Sequence, residues 1–333
     1  MSIVSSSTSR AITTESDARR GGIVRSYLEL TKARLSALVV MSTAVGFIIA
    51  GQSPIDWILL AWTILGTTLA AAAASIFNQL IEINLDAKMK RTRDRPLPTG
   101  AISPRHCFIL AMLTGYAGIA VLGLFVNLLA AGLALITILI YVLIYTPMKT
   151  RSSFNTLVGA VCGAIPPMIG WAAASGHLEI GAWILGAILF VWQLPHFLSL
   201  AWLYREDYRQ AGFAMLSVGD PRGDQTSRIV LLTSILLIPL GLMVTLAGLA
   251  GWWFTIGSIL LGSWLIQLGI KLHLNHSDDN ARRVFLASIL YLTLLMTLLV
   301  IDREPIGTIV IPTFAQESAD ISTASIMPDF RGQ

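Results

Sequence analysis

The polar segment from Asn78 to Gly100 combines oxygen ligands with a cluster of cations. Asn78, Glu82 and Asp86 recur every four residues, a spacing that places their side chains along one face of a helix. Five cations then follow within eight residues: Lys88, Lys90, Arg91, Arg93 and Arg95. Carboxylate and amide oxygens suit magnesium, and arginine binds phosphate oxygens through paired donors. The segment therefore predicts a site in which Mg²⁺ and basic side chains hold a phosphate or diphosphate.

The composition indicates a membrane protein. Of the 333 residues, 55% are hydrophobic and only 13% are charged, whereas soluble proteins carry about 25% charged residues. Nine apolar stretches approach the roughly 17 to 25 residues that cross a bilayer as a helix. They are Leu35–Ala50, Trp57–Ile76, Cys107–Val126, Leu128–Tyr145, Phe154–Ala174, Ala182–Ala201, Ile229–Ala250, Trp252–Leu272 and Val284–Ile301. The predicted fold is all-α, with about nine transmembrane helices.

The sequence also predicts where the membrane region begins and ends. We expect the first helix to begin nearer Leu28, with Lys32 and Arg34 extending to the membrane interface. Polar composition predicts disorder on both sides of a membrane domain at residues 27–301, namely in residues 1–26 and 302–333.

The distribution of Lys and Arg supports this count independently. Cytoplasmic loops carry an excess of these residues. If the N-terminus is cytoplasmic, 21 of the 23 Lys and Arg fall on that side, and only Arg303 and Arg331 fall on the other. The prediction is a multi-pass protein of the cell inner (plasma) membrane with cytoplasmic active-site loops. The net charge of +4 then reflects topology, and no nucleic-acid partner is expected.

Two other cytoplasmic regions contain residues that could do chemistry. One places Tyr145 and Lys149 four residues apart, and the other has His196 within a predicted span and the acidic pair Glu206 and Asp207 just beyond it. The acidic pair can bind metal or belong to a solvated surface, where an ion pair is worth under about 1 kcal/mol. His196 can be a ligand, or a residue at a helix kink that is bonded to backbone.

Three segments resemble signatures of a known family. The pattern NQxxExxxDxxMxRTxxRPLPxG, from Asn78 to Gly100, resembles the first signature of the haem O synthase branch of the UbiA-type intramembrane prenyltransferases. Gly163–Trp171 and Trp192–Gly212 resemble two further signatures in the same order. The likeness extends over about Tyr27 to Ile301. It implies an all-helical membrane fold of nine spans around a central chamber.

The resemblance also implies roles for individual residues. The implied catalytic residues are Asn78, Glu82, Asp86 and Asp207, which with Glu206 would bind Mg²⁺ as cofactor. The implied diphosphate-binding residues are Arg91, Arg95, Lys149 and Arg151, and His196 is placed in the haem pocket. This chain departs from the superfamily pattern where Thr150 separates Lys149 from Arg151, and where Ala214 replaces an expected proline.

The implied reaction joins farnesyl diphosphate to haem B. Diphosphate leaves, a haem vinyl group attacks the farnesyl cation, and water captures the resulting cation to give the hydroxyethylfarnesyl group of haem O. A haem A synthase is an implied partner. The alternatives are a sister prenyltransferase with a quinone or chlorophyll-type acceptor and a small-molecule membrane transporter. Because the polar residues cluster on one membrane face, whereas transporters bind near the bilayer midplane, the sequence favours the enzyme.

Overall fold

The computed structural model describes Gly22, residues 24–51 and residues 54–304. These residues form helices joined by turns and loops. The helices are α1 (residues 24–30), α2 (Ala33–Ala50), α3 (Trp57–Ile81), α4 (Ile83–Asp86), α5 (Pro104–Phe125), α6 (Leu128–Leu139), α7 (Thr146–Met148), α8 (Asn155–Ser175), α9 (Ile180–Leu203), α10 (Arg205–Ala211), α11 (Leu216–Gly219), α12 (Asp224–Leu246), α13 (Trp252–Leu274) and α14 (Asp278–Ile301). A π-helical segment, Ile140–Tyr145, joins α6 to α7.

The membrane spans agree with the sequence. Eight helices in the described part of the chain are long and apolar enough to cross a membrane, counting Leu128–Met148 as one, and Ser36–Ala50 within α2 is a shorter apolar helix. The 18 residues of α2 measure about 27 Å at 1.5 Å per residue, close to the thickness of the hydrocarbon core. Each of the nine predicted stretches coincides with one of these helices. The predicted all-α membrane fold is confirmed.

The interior of the bundle is formed by α8 and α9. These two spans are the most buried, whereas α5 and Leu128–Met148 are the least buried and present most of their surface outward. Glycines allow the backbones of α2 and α8 to touch: a Cβ atom at Gly46 would overlap the carbonyl group of Pro167, and one at Gly170 would overlap that of Thr43. Small residues commonly permit such close approach of helices in membranes.

The first helix differs from its prediction. The chain breaks between α1 and α2, because Lys32 has left-handed backbone angles, φ 49° and ψ 47°. Among the described residues it is the only non-glycine residue with positive φ. Buried Gln79 on α3 holds the end of α1, since its Nε2 donates to the carbonyl of Leu30 over 2.7 Å. Lys32 consequently points inward, whereas the sequence predicted that it would extend to the membrane interface.

The boundaries of the predicted disordered segments also differ. Residues 1–21 and 305–333 lie outside the described residues, but residues 24–26 are helical within α1. At the other end, Asp302 Oδ2 accepts a hydrogen bond from the backbone N–H of Phe254 over 2.7 Å. A carboxylate is stabilising in this position because the first turn of α13 has unpaired N–H groups and the positive end of the helix dipole. The described part of the chain includes this contact and extends to Glu304.

The close contact between α2 and α8 predicts a strong effect of one methyl group. Gly46→Ala forces Cβ into the carbonyl of Pro167, and such overpacking costs about 1–3 kcal/mol. We expect a clearly lower melting temperature for this variant in thermal denaturation of the detergent-solubilised protein. Gly132→Ala is the matched control, because nothing lies within 4 Å of the position its Cβ would take. Equal melting temperatures for both variants would contradict the packing described here.

Candidate active site

A cavity of about 320 Å³ lies between the spans. Its charged lining comes from the turn before α2, from the chain following α3 and from the end of the Leu128–Met148 span; these residues are Lys32, Glu82, Asp86, Arg91, Arg95 and Lys149. Its remaining walls come from within the spans and include Tyr141, Tyr145, Cys162, Trp192 and His196. The cavity thus joins a charged compartment to an apolar and aromatic one.

Two buried ion pairs dominate the charged compartment. Lys149 Nζ lies 2.7 Å from Glu82 Oε1, and Arg95 donates to Asp86 Oδ2 over 2.7 Å. The carboxylate side chains are 5% and 1% exposed, and their cations are 15% and 22% exposed. Burial by itself lowers the pKa of Lys149, but the adjacent Glu82 carboxylate outweighs it and holds this pKa above its ordinary value. Lys149 is therefore a cation at neutral pH.

The predicted stripe is interrupted by a break between two helices. Asn78 is in the last turn of α3, which ends at Ile81, while Glu82 has non-helical angles and Asp86 ends the short α4. All three side chains are buried, but only Glu82 and Asp86 line the cavity. Asn78 Oδ1 instead accepts a hydrogen bond from Lys32 Nζ over 2.6 Å. The structure thus brings two of the three predicted ligands to the cavity surface.

Lys32 is a site residue that the sequence analysis missed. Burial, reinforced by the nearby charges of Lys149 and Arg95, lowers the pKa of Lys32 to about 7. A lysine at the end of a span ordinarily extends to the interface, so its sequence position gave no signal. Its inward direction follows from the left-handed turn, which depends on the distant contact between Gln79 and α1.

Arg91 connects the first signature to the third. Its guanidinium lies 5.0 Å from the ring centre of Tyr204 and 5.9 Å from that of Tyr208, and it donates to the Tyr208 hydroxyl over 3.3 Å. Tyr208 also lines the cavity. The sequence analysis missed this tyrosine, because the acidic residues before it were the more obvious candidates. Cation–π contacts of this kind fix an arginine while leaving donors available for an anion.

Three predicted residues have no support from the geometry. Glu206 is exposed, and its carboxylate pairs with Arg209 over 2.8 Å and accepts from Gln210 over 2.9 Å. The hydrogen bonds from Arg209 and Gln210 lower the pKa of Glu206. Neither Glu206 nor Asp207 lines the cavity, and Arg151 is exposed and outside it as well. The solvated-surface interpretation fits Glu206, because α10 turns this side chain away from the cavity.

His196 lies in the aromatic compartment. It is 5% exposed and stacks with Trp192 at 5.0 Å between ring centres and with Phe285 at 4.8 Å. Its Nδ1 lies 2.9 Å from the Ser288 hydroxyl on α14. Its partners are side chains, so the alternative of an imidazole bonded to backbone is wrong.

The donors in the charged compartment fit magnesium. Mg²⁺ commonly binds through one or two carboxylates, with waters and substrate phosphate oxygens completing its shell. Glu82 and Asp86 supply two carboxylates at the cavity surface. In the described part of the chain, three or more His, Cys, Asp or Glu side chains do not come together in a metal-binding group. Such a cluster is unnecessary where the substrate itself brings phosphate oxygens.

Lys32 predicts a pH dependence of stability. Its pKa is about 7 in the folded protein against an ordinary 10.5, so the unfolded chain binds the extra proton between these values. The contribution of Lys32 to the free energy of unfolding therefore rises with pH through this window, by at most ~1.4 kcal/mol per pH unit. We expect the melting temperature of the wild type to increase relative to that of Lys32→Met between pH 7 and 9.

The control for this experiment is Lys88→Met, since Lys88 is exposed. Its melting temperature should follow that of the wild type at every pH. Parallel curves for the wild type and Lys32→Met would show that Lys32 has an ordinary pKa.

Comparison with known proteins identifies the family of this chain. The model of the UbiA prenyltransferase family matches residues 39–295. A protohaem IX farnesyltransferase of Solibacter usitatus is 41% identical over 289 residues, which cover 84% of this chain and 99% of that protein.

Solved structures share the fold. A digeranylgeranylglyceryl phosphate synthase matches with a TM-score of 0.70 at 16% identity, over 84% of this chain and 98% of its own. A UbiA homologue from Archaeoglobus fulgidus bound to GPP and Mg²⁺ matches with a TM-score of 0.59 at 16% identity, over 82% of this chain and 99% of its own. These likenesses concern the fold, whereas the family match and the close relative concern the sequence itself. The chain belongs to the UbiA prenyltransferase family.

Proposed function

We propose that this prenyltransferase is a protohaem IX farnesyltransferase, which converts haem B, farnesyl diphosphate and water to haem O and diphosphate. The observation that carries the proposal is one continuous cavity with buried charged groups in one compartment and aromatic walls in the other. Such a cavity suits a substrate with an anionic head and an apolar chain. The relative from Solibacter usitatus, 41% identical over nearly its whole length, supports the choice of substrates.

The charged compartment would hold the diphosphate. Lys149, Arg91 and Arg95 line it and would bind the phosphate oxygens. Glu82 and Asp86 would hold Mg²⁺; a UbiA homologue of the same fold is itself bound to GPP and Mg²⁺. When bound, the metal supplies positive charge to the departing diphosphate. These side chains are fixed before reaction by their contacts with one another, so little reorganisation is required when the allylic C–O bond breaks.

The aromatic compartment would protect the farnesyl cation. Tyr141, Tyr145 and Trp192 form part of its walls, and Tyr145 also holds Lys149, whose Nζ lies 4.7 Å from the ring centre. The terminal vinyl carbon of haem B forms the new C–C bond with the farnesyl carbon that lost diphosphate. Water then adds to the resulting cation and releases a proton, which completes the hydroxyethylfarnesyl group. Apolar walls delay an earlier attack by water on the farnesyl cation.

The direct test is product analysis with purified protein. We expect haem B, farnesyl diphosphate and MgCl₂ to yield a haem with the mass of haem O, and EDTA to abolish its formation. Consumption of farnesyl diphosphate only when a quinone-type acceptor replaces haem would assign the chain to a sister activity. Transport without any chemical change of farnesyl diphosphate would reject the enzyme.

Asp86→Asn separates a metal ligand from a purely structural ion pair. The substitution keeps the volume but removes the anionic oxygen, and we expect turnover to fall on the order of 100-fold while the protein remains folded. Excess magnesium should recover part of this loss in steady-state assays. Lower stability with no response to magnesium would mean that Asp86 serves only as the partner of Arg95, which it contacts at 2.7 Å.

The matched control is Asp94→Asn in the same segment. The Asp94 side chain is 85% exposed and lies 4.0 Å from Arg93, so its loss should leave turnover and magnesium dependence unchanged. A fully active and stable Asp86→Asn enzyme would rule out Asp86 as a metal ligand.

We further propose that the charged compartment opens toward the cytoplasm across the plasma membrane. The support is the concentration of Lys and Arg in the loops that provide this compartment. A haem A synthase in the same membrane is the partner expected to receive haem O. Reporter fusions after Gly100, Arg151 and Asp220 should be cytoplasmic, while one after Gly176 should lie on the opposite side. A reversed signal at any of the first three positions would overturn this topology.

A further inference from the structure

His196 is held in one orientation by three neighbours. Its ring stacks with Trp192 and with Phe285, at interplanar angles of 19° and 28°. The Trp192 indole N–H in turn donates to the carbonyl of Ser288 over 2.6 Å, which ties α9 to α14 beside the histidine. Stacking and the contact to Ser288 together restrict rotation of the imidazole. The direction of each ring nitrogen is therefore set by the fold.

The hydrogen bonds around Ser288 determine which ring nitrogen carries the proton. The Ser288 hydroxyl donates to the carbonyl of Phe285 over 2.7 Å, and a hydroxyl has one proton to donate. In this arrangement its oxygen accepts from His196 Nδ1, 2.9 Å away. The neutral imidazole then carries its proton on Nδ1 and keeps an unshared electron pair on Nε2. This is the tautomer in which a histidine ligates a metal through Nε2.

Among the described residues, the Nε2 atom of His196 has no hydrogen-bond partner. Within the described residues, the hydrogen bonds of His196 end at Nδ1, and the side chain lines the cavity. All five histidines of the chain lie in the described part, and His196 is the one that borders the cavity. It lies seven residues before the end of α9, about 10 Å along the helix axis. His196 thus lies within the span and not at its end.

We infer that His196 Nε2 is the axial ligand of the iron in the porphyrin acceptor, and that Ser288 is a positioning residue that sets the ligating tautomer. The inference rests on the proposed function, since it takes an iron porphyrin as the acceptor. Histidine is a common axial ligand of haem iron, and a hydrogen bond to its other nitrogen fixes the ring and raises its basicity. An iron–nitrogen bond would anchor a planar, largely apolar substrate that offers few other directional contacts.

Cys162 is the competing ligand in this compartment, because it also lines the cavity. Thiolate ligates haem iron, but a thiol must first lose its proton. Cys162 is a free, buried cysteine within α8. His196 already presents a lone pair without any proton loss. The geometry therefore favours the histidine, and variants of both residues belong in the test.

The experiment compares haem B with metal-free protoporphyrin IX, which has the same shape and side chains. Binding of each is measured by titration of the purified full-length protein, and the Soret band of the bound haem is recorded. We expect the wild type to bind haem B at least roughly tenfold more tightly than the metal-free ring, and His196→Phe to bind both about equally. Phenylalanine keeps the stacked ring and so protects the fold. Ser288→Ala should reduce the preference for iron by about 10-fold.

Two further measurements make the outcome decisive. Added imidazole should restore the wild-type Soret band in His196→Ala, which a merely structural role of the side chain would not allow. His177→Ala and Cys162→Ala are controls and should keep both the band and the preference for iron. His177 is exposed and bonded to Glu179.

The inference is overturned if His196→Phe retains the wild-type preference for iron, or if Cys162→Ala loses it. It is also overturned if the wild type binds the metal-free ring as tightly as haem B. Because binding and spectra are measured without farnesyl diphosphate, the proposed function is judged separately by formation of haem O. A wild type that makes haem O but has no iron preference overturns the axial ligand alone.

Discussion

Burial of charge at the edge of the membrane governs this structure. An ionised group taken out of water loses several kcal/mol of solvation, and a close partner offsets this only when the geometry is good. The pairs Glu82–Lys149 and Asp86–Arg95, each at 2.7 Å, meet that requirement. The four paired residues come from the end of α3, from α4 and the chain after it, and from the end of the Leu128–Met148 span. These regions must therefore lie together. Because the pairs contain both signs of charge, the proposed magnesium–diphosphate complex would bring positive charge to the carboxylates and negative charge to the cations and leave the compartment balanced.

A local irregularity in one helix and long-range hydrogen bonds together produce this placement. The π-helical segment Ile140–Tyr145 ends just before α7, which leads to Lys149, and it turns Tyr141 and Tyr145 toward the cavity. Such segments often occur at functional sites. Its end is fixed by Thr146, whose hydroxyl donates to the carbonyl of Tyr141 over 2.7 Å and accepts from Asn78 over 3.2 Å. Asn78 also binds Lys32, so a single buried amide connects three segments that are far apart in the chain. A substitution at Asn78 would consequently disturb the whole charged compartment, whether or not the amide ever contacts a metal.

Much of this arrangement could be predicted from the sequence, for physical reasons. The bilayer requires long apolar helices, so composition alone located the spans. Four-residue spacing singled out Glu82 and Asp86, and the family resemblance implied roles for Arg95 and Lys149. Lys32 could not be found in this way, because its direction depends on a left-handed turn held by Gln79, nearly fifty residues away. The position of Glu206 relative to the cavity could not be predicted either. The sequence places it near a helix end, but which side of α10 faces the cavity depends on how that helix packs.

The division of the cavity into two compartments explains why such a reaction belongs in a membrane protein. A charged compartment open to ions suits the departure of diphosphate, but water there would also capture an allylic cation at once. The aromatic walls and the buried imidazole of His196 lie deeper, within the spans, where the surrounding helices exclude water. The farnesyl chain can cross from one compartment to the other because its two ends have opposite solubility. Burial makes it costly to ionise Glu82 and Asp86 without partners. The same exclusion of water lets the farnesyl cation react with its acceptor before water attacks it.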